Sequence, residues 1–497
     1  MRPVVLLIDD QWGRSGDPMI PDTYGKLPIR WEFESAQDEA GGHSIAAAVK
    51  SVKRVCPDAI LLDIGFGKSG SHLGVDILQA TRQDFPTLPV LMFTALDSVE
   101  NRELVIRCME LGANEYVEKA PSASQMQEIL LVYTDPGSDQ AIYGNSAAIR
   151  LLRANIARIA FSGETSVLIV GESGTGKELV ARALHRQGPR KQGAFVAKNC
   201  AHSELQLLDS ELFGHERGAF TGATDQRRGL IEEASGGVLF LDEVADMAPE
   251  LQAKLLRALE THTFRRVGGT KDIESQFQLV CATNRNPEEL IKSSRLREDF
   301  YYRIATMTLR VPPLRERRDD IAVLAECFLK RFKIRGGASY PGARFVPAVL
   351  SRLREHAWPG NVRELRNVVE RAVILSRKST ISVEELPELF ADSANLTDSS
   401  VKHFGETCTD LPENPADWPM ARLMTELRLA VEVRRRVQSY KGNMWKAEFM
   451  RLMYPESKAA NAKGFDDLLK RLTQGPWGCS TWHEHPELSE LIEALRR

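Results

Sequence analysis

Along residues 1–132, short apolar runs alternate with stretches of helical spacing. The runs VVLLID (4–9), IRWEFES (29–35), AILLDI (59–64), PVLMFTA (89–95) and NEYVEK (114–119) predict strands. Between the later runs, helical spacing falls around 45–55, 73–83, 98–111 and 122–132. Alternation of this kind predicts a parallel sheet with helices on both faces. The polar stretch TDPGSDQ (134–140) interrupts the pattern and predicts a linker. A second and larger α/β pattern runs from 142 to about 388. Residues 391–420 hold six acidic residues, one lysine and three prolines with little periodicity, which predicts a flexible linker. Beyond it the chain turns helical: Leu423, Leu427, Ala430, Val433, Val437 and Tyr440 recur every three or four residues. The expected organisation is α/β and multidomain, with domains at 1–133, 142–388 and 419–497 joined by linkers at 134–141 and 389–418.

Composition narrows the class without naming a chemistry. At 497 residues the chain exceeds what one core organises. Its 43% hydrophobic and 27% charged residues are ordinary for a globular protein. No apolar run approaches the ~20 residues that span a bilayer. The start, MRPVVLLIDD, meets acid after a short apolar run, which reads as a strand and not a signal peptide. Seven scattered cysteines with no C-x-x-C pair argue against a disulfide framework or zinc site and fit a reducing cytoplasm. The net charge of -3 is uneven. Residues 1–130 carry 12 Lys/Arg against 19 Asp/Glu, and residues 421–475 carry 12 against 6. An acidic front and basic back are compatible with a regulatory head and a nucleic-acid-binding tail.

The clearest chemical motif is Gly171-Glu172-Ser173-Gly174-Thr175-Gly176-Lys177, directly after the apolar run SVLIV and before the helical ELVARAL. Strand, Gly-rich loop and helix are the setting of a P-loop. There, backbone N–H groups and the helix N-terminus close around phosphates. Lys177 would reach the β- and γ-phosphates. Glu178 follows where the general pattern has Ser or Thr, so the usual hydroxyl ligand for Mg²⁺ is missing. The run GGVLFLDE (236–243) predicts a buried strand ending in two acids, Asp242 to hold Mg²⁺ and Glu243 to polarise an attacking water.

With GESGTGKE and GGVLFLDE come NCAHSELQLLDSELFGHERGAFTGA (199–223), RLREDFYYRI (295–304), VPPLRERRDDI (311–321) and WPGNVREL (358–365). Across roughly half of the chain this resembles the central domain of sigma-54-dependent enhancer-binding activators, the NtrC-like class of AAA+ proteins. Glu178 after the P-loop lysine is that family's own form. The resemblance implies an ATP- and Mg²⁺-dependent ATPase with a helical lid. It also implies that Gly218-Ala219-Phe220-Thr221-Gly222-Ala223 tips a loop that engages sigma-54. Glycines suit a mobile excursion, while Phe220 and Thr221 offer an apolar contact and a hydroxyl. By position, Asn199 is similar to the residue that restrains the catalytic glutamate, Asn284 to sensor I and Arg363 to sensor II. Arg297 and Arg303 lie where that family supplies arginine fingers to a neighbouring subunit. Leu296 stands where phenylalanine is usual. Fingers acting in trans imply a ring, a hexamer built from inactive dimers.

Asp9, Asp10, Asp63, Thr94 and Lys119 fall at the ends of the predicted strands of the first domain. Three carboxylates at the C-terminal edge of a parallel sheet make an oxygen-rich Mg²⁺ site. The arrangement resembles a two-component receiver, a (βα)5 domain. That resemblance implies Asp63 as phosphoacceptor for a sensor histidine kinase and Asp9 and Asp10 as metal ligands. It also implies Thr94 and Lys119 at the phosphate, and Tyr116 as a switch aromatic. Three departures stand out: QWGRSGDPMIPDTYGKLP (11–28) occupies the place of the first helix, the loop after Asp63 is long, and Ala120 separates Lys119 from Pro121. A docking module of receiver shape is the alternative to a phospho-switch.

The tail SYKGNMWKAEFMRLMYP (439–455) followed by FDDLLKRL (465–472) resembles a divergent Fis-type helix-turn-helix for enhancer DNA, with an unusually long turn. A helical bundle for oligomerisation or partner binding is the other reading. Together these features lead to the expectation of a cytoplasmic activator of sigma-54 RNA polymerase holoenzyme. Two alternatives stay in view: a AAA+ remodeller of another protein client, and a DNA-binding regulator without motor activity.

Overall fold

The computed structural model describes residues 2–9, 27–36, 44–66, 72–95, 98–119, 121–135, 138, 140–163, 165–201, 204–220, 223–336, 344–375 and 380–381, with the backbone alone at 333–336 and 374–375. Asp10, the segment 11–26, Ala120, Thr221, Gly222, the second linker and the helical tail fall outside the described residues.

The first five strands are β1 (Val4–Ile8), β2 (Arg30–Glu34), β3 (Ala59–Asp63), β4 (Val90–Thr94) and β5 (Glu115–Glu118). They form one parallel sheet in the order β2-β1-β3-β4-β5. Each lies within one or two residues of the run that predicts it. β3 and β4 are buried along their whole length, which is why AILLD and VLMFT are continuous apolar runs and do not alternate. Helices α1 (Ile45–Val55), α2 (Leu73–Asp84), α3 (Val99–Glu110) and α4 (Ala123–Thr134) connect and cover the strands. Local chemistry sets their ends: Ser98 accepts from Asn101 N at the start of α3, and Ser122 and Gln125 form a capping box at the start of α4.

The second sheet contains β6 (Val167–Val170), β7 (Phe195–Asn199), β8 (Val238–Asp242), β11 (Gln278–Thr283) and β12 (Met307–Arg310). It too is parallel, in the order β12-β6-β11-β8-β7. A short antiparallel pair, β9 (Thr263–Phe264) and β10 (Ile273–Glu274), projects from it. Helices α5 (Ala147–Ser162), α6 (Lys177–Gln187), α7 (Leu205–Phe213), α8 (Leu230–Glu233), α9 (Pro249–Thr261), α10 (Pro287–Lys292) and α11 (Glu298–Ile304) surround it. Then comes a helical lid of α12 (Asp319–Gly336), α13 (Pro347–Glu355) and α14 (Asn361–Leu375), with the parallel pair β13 (Arg344–Phe345) and β14 (Thr380–Ile381).

Residues 1–389 form one compact unit, so the break predicted at 134–140 does not leave the two sheets as separate bodies. The reason lies in α5. Its small residues Ala154 and Ala157 belong to the same buried cluster as Val105, Cys108 and Met109 of α3, and the two helices pack along each other. Arg153, buried on α5, donates to the carbonyls of Ala113 (3.5 Å) and Ile142. The lid closes the other end: Asp320 accepts from Asn145 N (2.6 Å), Ser146 N (2.8 Å) and the Ser146 hydroxyl (2.6 Å) just before α5. Gly144, at φ +118°, leaves room for that carboxylate, which a Cβ would meet at 2.6 Å.

Candidate functional site

The second sheet gathers its chemistry at the C-terminal ends of β6, β8 and β11. β6 runs into the P-loop, and α6 starts at Lys177 behind Gly176, whose φ of +103° only glycine adopts without strain. Lys177 is buried and donates from Nζ to the Gly171 carbonyl (3.1 Å) and to Glu243 Oε1 (3.3 Å). Glu243 sits just past β8 in a left-handed turn at φ +51°. Its other oxygen accepts from the backbone N–H of Asn284 at the end of β11 (3.1 Å). Asp242 Oδ1 accepts from Glu243 N (3.0 Å), and Oδ2 has no protein partner among the described residues. A cavity of about 310 Å³ opens over this edge, lined by Ser173–Glu178, Asp242, Glu243 and Arg363. Glu178 closes it from the side and pairs with Arg182 one turn on (2.7 Å).

Several residues singled out in the sequence therefore converge, and others do not. Asn199 ends β7 beside Asp242, but its side chain accepts from Ala201 N (2.8 Å) and does not touch Glu243. The restraint that the resemblance implies is not made in this geometry; Lys177 and Asn284 N hold the glutamate instead. Arg297 and Arg303, on and before α11, do not line the cavity of their own chain. Arg297 is exposed and pairs with Asp299 (2.7 Å), and Arg303 donates to the Leu259 carbonyl (3.0 Å). Leu296 is buried, so the exchanged aromatic position still packs.

Of the Gly218–Ala223 hexapeptide, Gly218, Ala219, Phe220 and Ala223 are described. Gly218 N donates to the Ala223 carbonyl (2.9 Å), closing the neck of the loop, with Gly218 at φ +81° in open space. Phe220 is exposed to 42% and meets the His215 ring edge-on at 5.1 Å. Ala219 rests against Gly268 of the β9–β10 connection, where a Cβ would come within 2.8 Å.

In the first sheet, Asp63 ends β3 and takes Lys119 Nζ on Oδ2 at 2.8 Å; the same ammonium lies 3.9 Å from Asp9 Oδ2. Burial, partly offset by Lys119 and reinforced by Asp9, pushes the Asp63 carboxyl up to about 6. Thr94 ends β4 on the same edge, its hydroxyl on the Ala95 carbonyl (3.2 Å). Two buried carboxylates share that ammonium, oxygen donors of the kind a hard divalent cation such as Mg²⁺ takes.

What the sequence reading missed is how the two sites are joined. Tyr116, buried against Phe161 with ring centroids 5.2 Å apart, donates to the Gln187 carbonyl (3.0 Å) at the C-terminal end of the P-loop helix. Next to it, Glu115 is buried and accepts from Arg186 Nη2 (3.3 Å), Gln187 Nε2 (3.3 Å) and the Tyr133 hydroxyl (2.7 Å). Lys191 reaches Glu118 at 2.8 Å. The available signal was an acid opening an otherwise buried strand, since Glu115, Tyr116 and Val117 are all inward.

Against known families, residues 142–310 match the sigma-54 interaction domain, 315–402 the AAA+ ATPase lid domain and 34–131 the response regulator receiver domain. The receiver match begins where β2 ends, so the chain's β1 and Asp9 precede it. The transcriptional regulatory protein ZraR of Klebsiella oxytoca is 41% identical over 352 residues, covering 68% of this chain and 77% of that one. The response regulator protein PilR of Pseudomonas aeruginosa is 40% identical over 393 residues, covering 78% and 84%. Among solved structures, NtrX from Brucella abortus aligns at 27% identity and a TM-score of 0.47, covering 94% of this chain and all of that one. Among the described residues no helix is long and apolar enough to cross a membrane. With receiver, sigma-54 interaction domain and lid matched in that order, this chain belongs to the sigma-54-dependent response regulators, activators of transcription whose AAA+ domain implies NTPase activity.

Proposed function

We propose that this chain hydrolyses ATP between subunits of a ring and uses the Gly218–Ala223 loop to drive promoter opening by sigma-54 RNA polymerase. The observation that carries the reading is the ion pair of Lys177 with Glu243 across the mouth of the P-loop. A bound γ-phosphate competes with Glu243 for the Lys177 ammonium. Once released, Glu243 accepts a proton from water as that oxygen bonds to the γ-phosphorus and the bond to the ADP oxygen breaks. Hydrolysis-competent geometry thus forms only with nucleotide in place. Arg363 reaches the phosphates from the lid. Arg297 and Arg303 stabilise the charge that develops in a neighbour's site. The free oxygen of Asp242 fits Mg²⁺, which when bound supplies charge neutralisation at the phosphates. Motion passes to the loop that carries Phe220 and Thr221 at its tip, and thence to sigma-54.

The receiver sets when this happens. Transfer of a phosphoryl group to Asp63 replaces its contact with Lys119 by a dianion that Lys119 and Thr94 both serve. Lys119 ends the strand whose Tyr116 and Glu115 hold α6, so rearrangement at one end of β5 reaches the P-loop helix at the other. A sensor histidine kinase supplies the phosphoryl group. Asp9 and Asp10 hold Mg²⁺ there. The boundaries that fit this division are 1–133, 142–388 and 419–497. The basic tail serves enhancer DNA, and the chain assembles from inactive dimers to a hexamer.

The test uses the full chain with a small phosphodonor, ATP, sigma-54 holoenzyme and promoter DNA, following unpaired thymines by permanganate reactivity. Opening that needs ATP and vanishes in Thr221→Ala, with hydrolysis retained, is expected. Hydrolysis without opening in the unaltered chain would point to another protein client. No hydrolysis at all would leave a DNA-binding regulator.

A further inference from the structure

The P-loop turn from Glu172 to Thr175 is gripped by the lid helix and by the Val311–Arg317 segment that leads to it. Glu172 takes both guanidinium nitrogens of Arg315 (2.5 and 2.8 Å), and Arg363 Nη1 donates to Ser173 Oγ (3.1 Å). The Gly174 carbonyl accepts from Val362 N (3.0 Å) and Arg363 N (3.3 Å), and the Thr175 carbonyl accepts from the buried Arg317 (3.1 Å). Gly174 leaves no space for more than hydrogen: a Cβ would stand 2.4 Å from the Gly360 carbonyl. At the centre of this contact lies Asn361, the first residue of α14, with no exposed surface.

Asn361 uses its whole amide. Its Oδ1 accepts from Leu314 N (2.8 Å), and its Nδ2 donates to Glu172 Oε2 (3.1 Å) and to the Ser173 carbonyl (3.1 Å). Three segments meet on one side chain: the phosphate loop, the Val311–Arg317 exit from the second sheet, and the lid helix. Its backbone is left-handed at φ +54°, a conformation that asparagine tolerates better than most side chains. Sequence requirement at this position is therefore double, for the turn and for the amide. Glu172 matches it from the other side, its carboxyl held below the usual range first by the Arg315 hydrogen bonds.

We propose that Asn361 is a positioning residue for the nucleotide: it orients the Glu172–Gly174 turn against the lid, so that phosphate affinity depends on lid placement. This rests on the nucleotide reading given above and deepens it. The amide orients backbone that faces phosphate, and it touches no reacting atom itself. Reversing its polarity turns the wrong face to the loop: in Asn361→Asp an oxygen replaces Nδ2 opposite Glu172 and the Ser173 carbonyl, leaving acceptors against acceptors. Glu172→Gln places a donor across the same gap while giving up the Arg315 Nη1 bond that the replaced oxygen accepts (2.8 Å), so the rescue is partial. The pair is therefore expected to be coupled in sign as well as size.

The experiment measures the Kd of a fluorescent (mant-labelled) ADP and the KM for ATP on the full chain, with nucleotide-free melting temperature alongside. Asn361→Asp is expected to raise Kd and KM about tenfold, and the double variant with Glu172→Gln to recover part of that loss. Asn361→Gly keeps the left-handed turn but removes the amide, and is expected to raise Kd with kcat at saturation held within about twofold. A lowered melting temperature with Kd within about twofold in both single variants would make Asn361 a structural residue only and overturn the proposal, as would losses that simply add in the double variant. Because mant-ADP binding needs no turnover, an unaltered chain that binds ADP but fails to hydrolyse ATP would sink the ATPase reading and leave this inference intact.

Discussion

The two parallel sheets solve a similar problem in opposite ways. In each, the chain changes direction between two neighbouring strands, β1 and β3 in the receiver, β6 and β11 in the motor, and the chemistry collects at the C-terminal edge there. In each, a lysine is paired with a carboxylate across that edge. In the receiver the carboxylate is the fixed partner: Asp63 is 3% exposed and Lys119 33%. In the motor the order is reversed, with Lys177 at 6% and Glu243 at 16%. The buried member is the one that must not move. A covalent acceptor needs its carboxylate held still while the cation adjusts to the incoming phosphoryl group. A phosphate cradle needs its cation held still while the carboxylate turns toward water. The same ion pair, packed from opposite sides, suits group capture in one domain and hydrolysis in the other.

The harshest way to break this contrast is to remove each lysine in turn. Lys177→Ala is expected to lower ATP hydrolysis by about three orders of magnitude, the scale for deleting a preorganised donor on a transferring phosphoryl group. Lys119→Ala is expected to leave basal hydrolysis within about twofold while abolishing the response to a phosphodonor, because the cation it removes is paired with the receiver carboxylates Asp63 and Asp9. Steady-state phosphate release with and without phosphodonor reads both. Comparable losses of basal hydrolysis in the two variants would refute the division of labour.

The next effect is on stability and tests whether the two sheets act as one unit. Glu115→Ala strands Arg186, whose side chain is 7% exposed, without its buried partner. The expected cost is about 3 kcal/mol, the low end for breaking a buried pair because Arg186 also lines a water-accessible cavity of about 590 Å³ between receiver and motor. Denaturant unfolding of the full chain measures it. Replacing both, Glu115→Leu with Arg186→Leu, should recover most of the loss, since no charge is then left unpaired. A double variant as unstable as the single one would mean that the pair is not what holds the contact.

How far the sequence foretold this differs between strands and grips. The strands were plain because burial on both faces makes apolar runs that nothing else explains: AILLD, VLMFT and VLFLD are buried nearly throughout. Residues at strand ends, Asp63 and Lys119 in one sheet and Glu243 and Asn284 in the other, meet because parallel strands deliver their C-termini to one edge of each sheet. Contacts between elements distant in sequence left no such trace. Glu115 with Arg186 and Glu172 with Asn361 are polar pairs whose meaning comes from docking geometry, and no spacing rule links them. Asn199 shows the converse: a role implied by resemblance depends on a rotamer, and here that side chain turns to Ala201. Thr221 lies outside the described residues and keeps only its sequence argument.

The smallest change sharpens the comparison most. Tyr116→Phe keeps the ring on Phe161 and removes only the hydroxyl that donates to the Gln187 carbonyl, a net loss of about 1 kcal/mol. If β5 carries information from the receiver edge to α6, amide exchange in the last turn of α6 should quicken about fivefold, with a small rise in basal hydrolysis. The phosphodonor response should shrink as well, because the unphosphorylated chain already has part of the release that phosphorylation would produce. Unchanged exchange with an unchanged response would show that the receiver reaches the motor by another route. The most direct alternative is the α3–α5 contact, where Val105 and Met109 meet Ala154 and Ala157 in one buried cluster. That contact also carries charge at its edge, Arg158 with Glu110 (2.5 Å) and Arg102 over the Phe161 ring, so a message sent through it would travel by packing and by those pairs. Tyr116→Phe distinguishes the two: its hydroxyl bonds the Gln187 carbonyl on the β5–α6 route and takes no part in the Arg158–Glu110 pair of the other.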